Sequence, residues 1–164
     1  MRCNLIKALV ILLFAAVSLS VAQSHEFSAF FPESFIRESV VEKVMPSYPD
    51  EAINRGTAGT VRIKLAIDEE GKVRRIKVNP KVPRPLKEAT CVAVKKWLFK
   101  PFLDQSGSGK PVLGRLTFSF ALNNGEGVVS FYDPGPTAPD QERIGYYDTP
   151  KELREWNDWE ECPK

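Results

Sequence analysis

The side chains able to do chemistry are few in this chain and do not converge. His25 is the only histidine among 164 residues, so a triad built on an imidazole base has a single position to draw on. Three cysteines occur, at Cys3, Cys91 and Cys162, and no Cys/His cluster with metal-ligand spacing accompanies them. Asp68-Glu69-Glu70 gathers three carboxylates. The EF-hand spacing is absent, and Gly71 follows directly, which makes the acidic run a hairpin turn rather than a Ca²⁺ loop. No glycine-rich phosphate loop is present. The expectation is a protein that is not an enzyme and needs neither cofactor nor metal. What is left is the chemistry of main-chain groups on a strand, and of two cysteines.

The two cysteines acquire meaning from the start of the chain. Arg2 and Lys7 make a basic beginning, Ala8 to Val17 is an unbroken apolar run, and Ser20 and Ala22 stand at the −3 and −1 positions of a cleavage site. That pattern is a secretory signal peptide over residues 1–22, with an uncleaved inner-membrane anchor as the alternative. Cys3 precedes the apolar run and so is not a lipoprotein cysteine. Export to the periplasm implies an oxidising compartment. Cys91 and Cys162 then form an even pair and a disulfide candidate; the competing reading is two independent thiols, one on a helix and one in a tail.

Charge divides the chain. Residues 23–124 hold 17 Lys and Arg against 11 Asp and Glu, whereas residues 125–164 hold 4 against 10. A basic body could meet a polyanion, but the cations alternate along strands with no interleaved aromatic stacking platform, so no nucleic acid is expected as a partner.

The elements that must position these groups follow from period and punctuation. Residues 23–41 read as an aromatic N-terminal arm, with Phe27, Phe30, Phe31 and Phe35. Pro46 and Pro49 bracket Tyr48; Pro49 suits a first helical position, Asp50 to Arg55 a short helix and Gly56 its stop. Val61, Ile63, Leu65 and Ile67 alternate with Arg62, Lys64 and Ala66, which specifies a strand with one buried and one wet face. The return strand, Lys72 to Val78, falls out of step between Val73 and Ile76, and a bulge near Arg74 would restore it. Leu86, Ala89, Ala93 and Trp97 share one face of a helix that Pro101 terminates. Gln105 to Gly109 reads as a flexible loop. A third strand carries Leu116, Phe118, Phe120 and Leu122. A helical crossover places it antiparallel beside the first strand and leaves it at the sheet edge.

The order helix, strand, strand, helix, strand describes an α+β domain over residues 42–124: two helices packed on one face of a three-stranded antiparallel sheet. Asn123-Asn124-Gly125 is a hairpin signal, and Val128 to Tyr132 is a candidate fourth strand that would pair with the edge. A disordered exit is the alternative. Residues 125–164 read as an acidic, proline-containing tail. Thr149-Pro150 with Glu152 forms a capping box for a short C-terminal helix, whose Trp156 and Trp159 either meet a partner or fold back with their acidic neighbours on the basic sheet.

Taken together, Tyr48-Pro49, Gly56, Gly59-Thr60-Val61, the strand to Asp68, Gly71-Lys72-Val73, the helix with Ala89 and Ala93, Trp97-Leu98-Phe99-Lys100-Pro101 and the strand of Phe118 and Phe120 resemble the C-terminal domain of the TonB energy transducers. The resemblance implies a periplasmic domain that grips an extended TonB-box peptide of an outer-membrane TonB-dependent receptor by β-augmentation. The candidate contact residues are then Tyr48 and Pro49 together with Arg115, Leu116, Thr117, Phe118, Ser119 and Phe120 on the edge strand. The same edge could pair two copies into a homodimer. A link to an inner-membrane proton channel is expected only if the signal stays uncleaved. About 20 residues, roughly 70 Å when extended, separate the cleavage site from the domain, they are not proline-rich, and Ser20 and His25 lie five apart rather than at helical spacing. The other reading is an exported scaffold or interaction module with no part in energy transduction.

Overall fold

In a computed structural model of the chain, residues 29–132, Trp156 and residues 158–163 are described. The signal segment, His25, and the capping box at Thr149 lie outside the described residues. The centre is β3 (Gly59–Ile67), paired antiparallel with β4 (Val73–Val78) on one side and with β6 (Val112–Asn123) on the other. Val61, Ile63, Leu65 and Ile67 are fully buried, as the period of two requires. At the β3–β4 turn the Asp68 carboxylate accepts the Glu70 and Lys72 N–H groups at 3.1 and 2.7 Å. Gly71 takes φ +84, and a Cβ there would stand 2.0 Å from the Phe99 carbonyl oxygen, so both the turn and the close approach demand glycine. Ala66 pairs with Arg75 and Ile67 with Val73. Arg74 is therefore the bulged residue that puts Val73 and Ile76 in step.

Three helices are found among the described residues. α1 (Glu33–Glu38) follows β1 (Phe30–Phe31) and precedes β2 (Val40–Glu42). α2 (Asp50–Asn54) has Pro49 as its N-cap rather than its first residue, and Gly56 at φ +63 ends it. α3 (Arg84–Val94) buries Leu86, Thr90, Cys91, Ala93 and Val94. It starts before Leu86 because Pro85 fits its first turn. It ends before Trp97 because Lys96 and Trp97 donate to carbonyls only three residues back, which tightens the last turn. Trp97 then donates Nε1–H to the Val44 carbonyl at 2.8 Å and ties the extended segment before α2 to the end of α3. β5 (Leu98–Phe99) pairs with β2 as a separate two-stranded sheet.

The expected three-stranded sheet is too small. Among the described residues the main sheet has six strands, in the order β1-β6-β3-β4-β8 with β7 (Glu126–Phe131) also on β6; β8 is Glu160–Glu161. β1 runs parallel to β6 and β8 antiparallel to β4. Each of these two strands has two residues, too few for any sequence period to register. The second face of the sheet is not wet either. Phe30, Ala66, Leu113 and Trp156 form a buried cluster there, and Lys64 is only 3% exposed. The Gln105–Gly109 loop is ordered by Asp104, whose carboxylate accepts from the Ser106 N–H and hydroxyl and from the Ser108 N–H at 2.8, 2.6 and 3.0 Å.

Candidate functional site

Unpaired main-chain groups at the edges of a sheet are where a further strand can add, so the covering of each edge is described in turn. Among the described residues, no group of three or more His, Cys, Asp or Glu side chains could hold a metal ion, and no helix is long and apolar enough to cross a membrane.

The β6 edge, expected to bind a peptide over Arg115 to Leu122 unless a fourth strand from Val128 to Tyr132 paired with it, is covered by that strand and by β1. Phe30 and Phe31 pair with Leu113 and Gly114, and the Leu113 N–H donates to the Ala29 carbonyl at 2.8 Å. From Phe118 to Asn123 the partner is β7, in register from Phe118↔Phe131 to Asn123↔Glu126. Between these strands lies Thr117. Its N–H donates to Glu33 Oε1 at 2.7 Å, its hydroxyl to Glu33 Oε2 at 2.8 Å, and its carbonyl accepts the Tyr132 N–H at 2.9 Å. One carboxylate thus takes the place of a missing strand. Burial pushes the Glu33 carboxyl above its ordinary value, and the two Thr117 bonds pull in the other direction.

The expectation of an open β6 edge is therefore corrected, and with it the basis for a homodimer through that edge. Main-chain pairing at Arg115, Leu116, Thr117, Phe118, Ser119 or Phe120 would require β7 or the arm to leave. The physical reason is that an unpaired, mostly apolar strand is covered by whatever chain can reach it. Leu116, Phe118 and Phe120 are buried in the core and Thr117 is buried as well, while Arg115 and Ser119 are partly exposed.

Tyr48 is held where β7 meets the core. Its hydroxyl donates to the Thr57 carbonyl at 2.7 Å, and its ring stands edge-on to Phe120 with centroids 5.3 Å apart. Desolvation raises the phenol above its usual value. A Cβ at Gly127 would lie 2.4 Å from Tyr48 Cγ, so the ring packs directly on the β7 backbone. Pro49 caps α2 and lines a groove of about 490 Å³ with Val44, Met45, Ala89 and Val92. Structure thus brings Tyr48 to β7 and leaves Pro49 on a different surface.

β7 itself carries the open edge. Asn124 and Gly125 have φ +52 and +85, the two positive values of a two-residue hairpin turn. The closing pair Asn123↔Glu126 exchanges both ladder bonds, and alternate pairs follow at Ala121↔Val128 and Ser119↔Ser130, ending at the Tyr132 N–H on Thr117. Gly127, Val129 and Phe131 therefore turn their N–H and C=O groups away from β6. Among the described residues no strand pairs with that side of β7. Arg37 and Lys43 stand 4.7 and 5.4 Å from the Phe131 ring centroid, which makes this end of the edge cationic.

The opposite edge, β4, is closed by the end of the chain. Cys91 and Cys162 are joined in a disulfide with Cα atoms 5.8 Å apart. It ties α3 to β8. Glu33, β1 and β8 had no signal in the sequence; the Glu33–Thr117 contact spans 84 positions.

Residues 44–122 match the family model described as Gram-negative bacterial TonB protein C-terminal. A comparison with curated proteins gives no match.

Proposed function

Residues 44–122 are a TonB C-terminal-like domain, and from that premise we propose that the chain is a non-enzymatic periplasmic adaptor which captures an extended peptide of an outer-membrane receptor, of TonB-box type, by β-augmentation. The capturing edge is β7 rather than β6. One observation carries this reading: the outward main chain of Gly127, Val129 and Phe131, on a six-residue edge strand whose other side is fully paired. An added strand would satisfy those groups and would lie over exposed Val128. Tyr48 acts from behind by fixing the β7 backbone at Gly127. In this reading residues 1–22 are a cleaved export signal, and coupling to an inner-membrane proton channel requires that the segment be retained instead.

The test is titration of labelled TonB-box peptides into the chain, with Val129→Pro beside the wild type. Proline removes one outward N–H and leaves the β6 ladder whole. Binding by the wild type, weakened about tenfold or more in Val129→Pro, supports the reading. Equal binding by both would move the site away from β7. Absence of binding by either would leave the second reading, an exported scaffold outside energy transduction, which the closure of β6 favours.

A further inference from the structure

The C-terminal segment has the form of a bound ligand. Glu160 and Glu161 pair with Val78 and Lys77 of β4, and the Cys162 N–H donates to the Ile76 carbonyl at 3.0 Å. Around this short ladder acids and aromatic rings meet cations. Lys87 donates to the Glu160 carboxylate. The Glu161 carboxylate lies 3.6 Å from Arg75 and 4.0 Å from Lys77. Lys95 donates to the Pro163 carbonyl at 2.7 Å. Lys64 and Lys77 stand 4.6 and 5.9 Å from the ring centroids of Trp159 and Trp156. Trp156 itself is buried against Phe30, Ala66 and Leu113.

From this we infer that the β4 edge, with the cations of β3, β4 and α3 around it, is a second strand-docking site, for an acidic, tryptophan-bearing extended segment of a partner protein. The chain's own C-terminus fills the site in cis. Two considerations point to an exchangeable ligand. A two-residue pairing is marginal as a piece of sheet, and its ion pairs sit at exposed carboxylates, where each is worth about 0–1 kcal/mol. What holds the segment besides is the buried Trp156 ring and, as the one covalent lock, the Cys91–Cys162 bond. Cys91 is 1% exposed and Cys162 is partly exposed, so a dithiol reductant would attack at Cys162 Sγ. The S–S bond breaks, a mixed disulfide forms, and the donor's second thiol resolves it. Cys91 and Cys162 are left as thiols, and the donor as a disulfide that has given up two electrons and two protons.

The probe is a labelled octapeptide of residues 156–163 with serine in place of Cys162. After reduction the tethered segment still competes at an effective concentration on the order of millimolar, so the receiving chain is full-length protein carrying Cys162→Ser, Glu160→Lys and Glu161→Lys. The expected results are no binding to the oxidised wild type, saturable binding to the triple variant, and binding about tenfold or more weaker when both glutamates of the peptide are replaced by lysine. Three results would overturn the proposal: equal binding by oxidised wild type, no binding by a natively folded triple variant, or indifference to peptide charge. Should the triple variant not fold, amide exchange of the wild type decides. Val73 to Val78 must exchange faster after reduction and slow again with excess peptide; unchanged exchange sinks the idea. Val129→Pro leaves this binding intact, so the fate of the β7 reading is scored separately.

Discussion

The two edges of the sheet meet the same physical problem with different chemistry. On the β6 side a hairpin of six register pairs covers half of the strand, β1 covers the start, and one carboxylate bonds to Thr117 between them. On the β4 side only two residues pair, and a disulfide with a ring of ion pairs supplies what the ladder lacks. A long contiguous ladder holds through its own cooperativity. A short one, arriving from the far end of the chain, needs a lock. The difference also separates roles, since the hairpin closes β6 only by presenting β7 as a new edge, whereas β8 is too short to present one.

The largest test of this contrast is loss of the lock. Cys91→Ser with Cys162→Ser removes a cross-link spanning 71 positions. It should lower stability by about 4 kcal/mol on the chain-entropy account, read by urea unfolding. A loss under about 1 kcal/mol would mean that β8 holds by its own contacts, and the contrast would fail. Next comes the β7 side. Gly127→Ala drives a Cβ toward Tyr48 Cγ, and because that contact is with the ring rather than a flexible tip, an overpacking cost of about 2 kcal/mol is expected. Weakened Tyr48–Phe120 and Tyr48–Thr57 contacts should appear as a shifted Tyr48 ring signal by NMR; an unshifted ring with native stability would show that β7 does not lean on Tyr48.

Glu33 stands between the two extremes. Glu33→Ala leaves the Thr117 N–H without its carboxylate and should cost about 1–2 kcal/mol, with faster exchange of the Thr117 amide than of its neighbours in β6. Its pH dependence has a definite sign. The folded carboxyl titrates above its ordinary value of 4.5, because burial outweighs the Thr117 bonds. The folded chain therefore holds this proton more firmly than the unfolded chain. That stabilisation is full below pH 4.5 and is lost as pH rises through the folded value. Unfolding of the wild type and of Glu33→Gln across this window should thus show the wild type gaining relative stability as pH falls; a gain in the opposite direction would mean that hydrogen bonding to the anion dominates. The smallest effect is expected for Glu160→Gln with Glu161→Gln in the oxidised chain, under about 1 kcal/mol and fading with salt. A larger loss would show that charge, and not the disulfide, seats β8.

The parts of the fold that could be read in advance are those whose information is local. The alternation of Val61, Ile63, Leu65 and Ile67, the Asp68–Gly71 turn, the bulge at Arg74 and the Asn-Gly hairpin each depend on residues within a few positions of one another. Each appears in the structure at its expected place. Which strand ends up at the edge was less legible, because edge status is a property of neighbours. Arg115 to Leu122 has the same sequence whether β7 lies beside it or not. Thr117 does not announce that its donor will find Glu33 from 84 positions away.

By itself, then, the amino-acid sequence determined the β3–β4–β6 framework, the helix α3 that seats on it, and the resemblance now matched by the family model over residues 44–122. Period, turn chemistry and residue type are short-range quantities, and they suffice for that much. Only the tertiary structure decided that β1 and Glu33 complete the covering of β6, that the outer side of β7 is left open, and that Trp156, Trp159, Glu160 and Glu161 return to the lysines of β3, β4 and α3. Those outcomes depend on which distant segments reach an unpaired edge or an uncovered face first. Pairing between two-residue strands leaves no period in the sequence, so the competition is settled only in three dimensions.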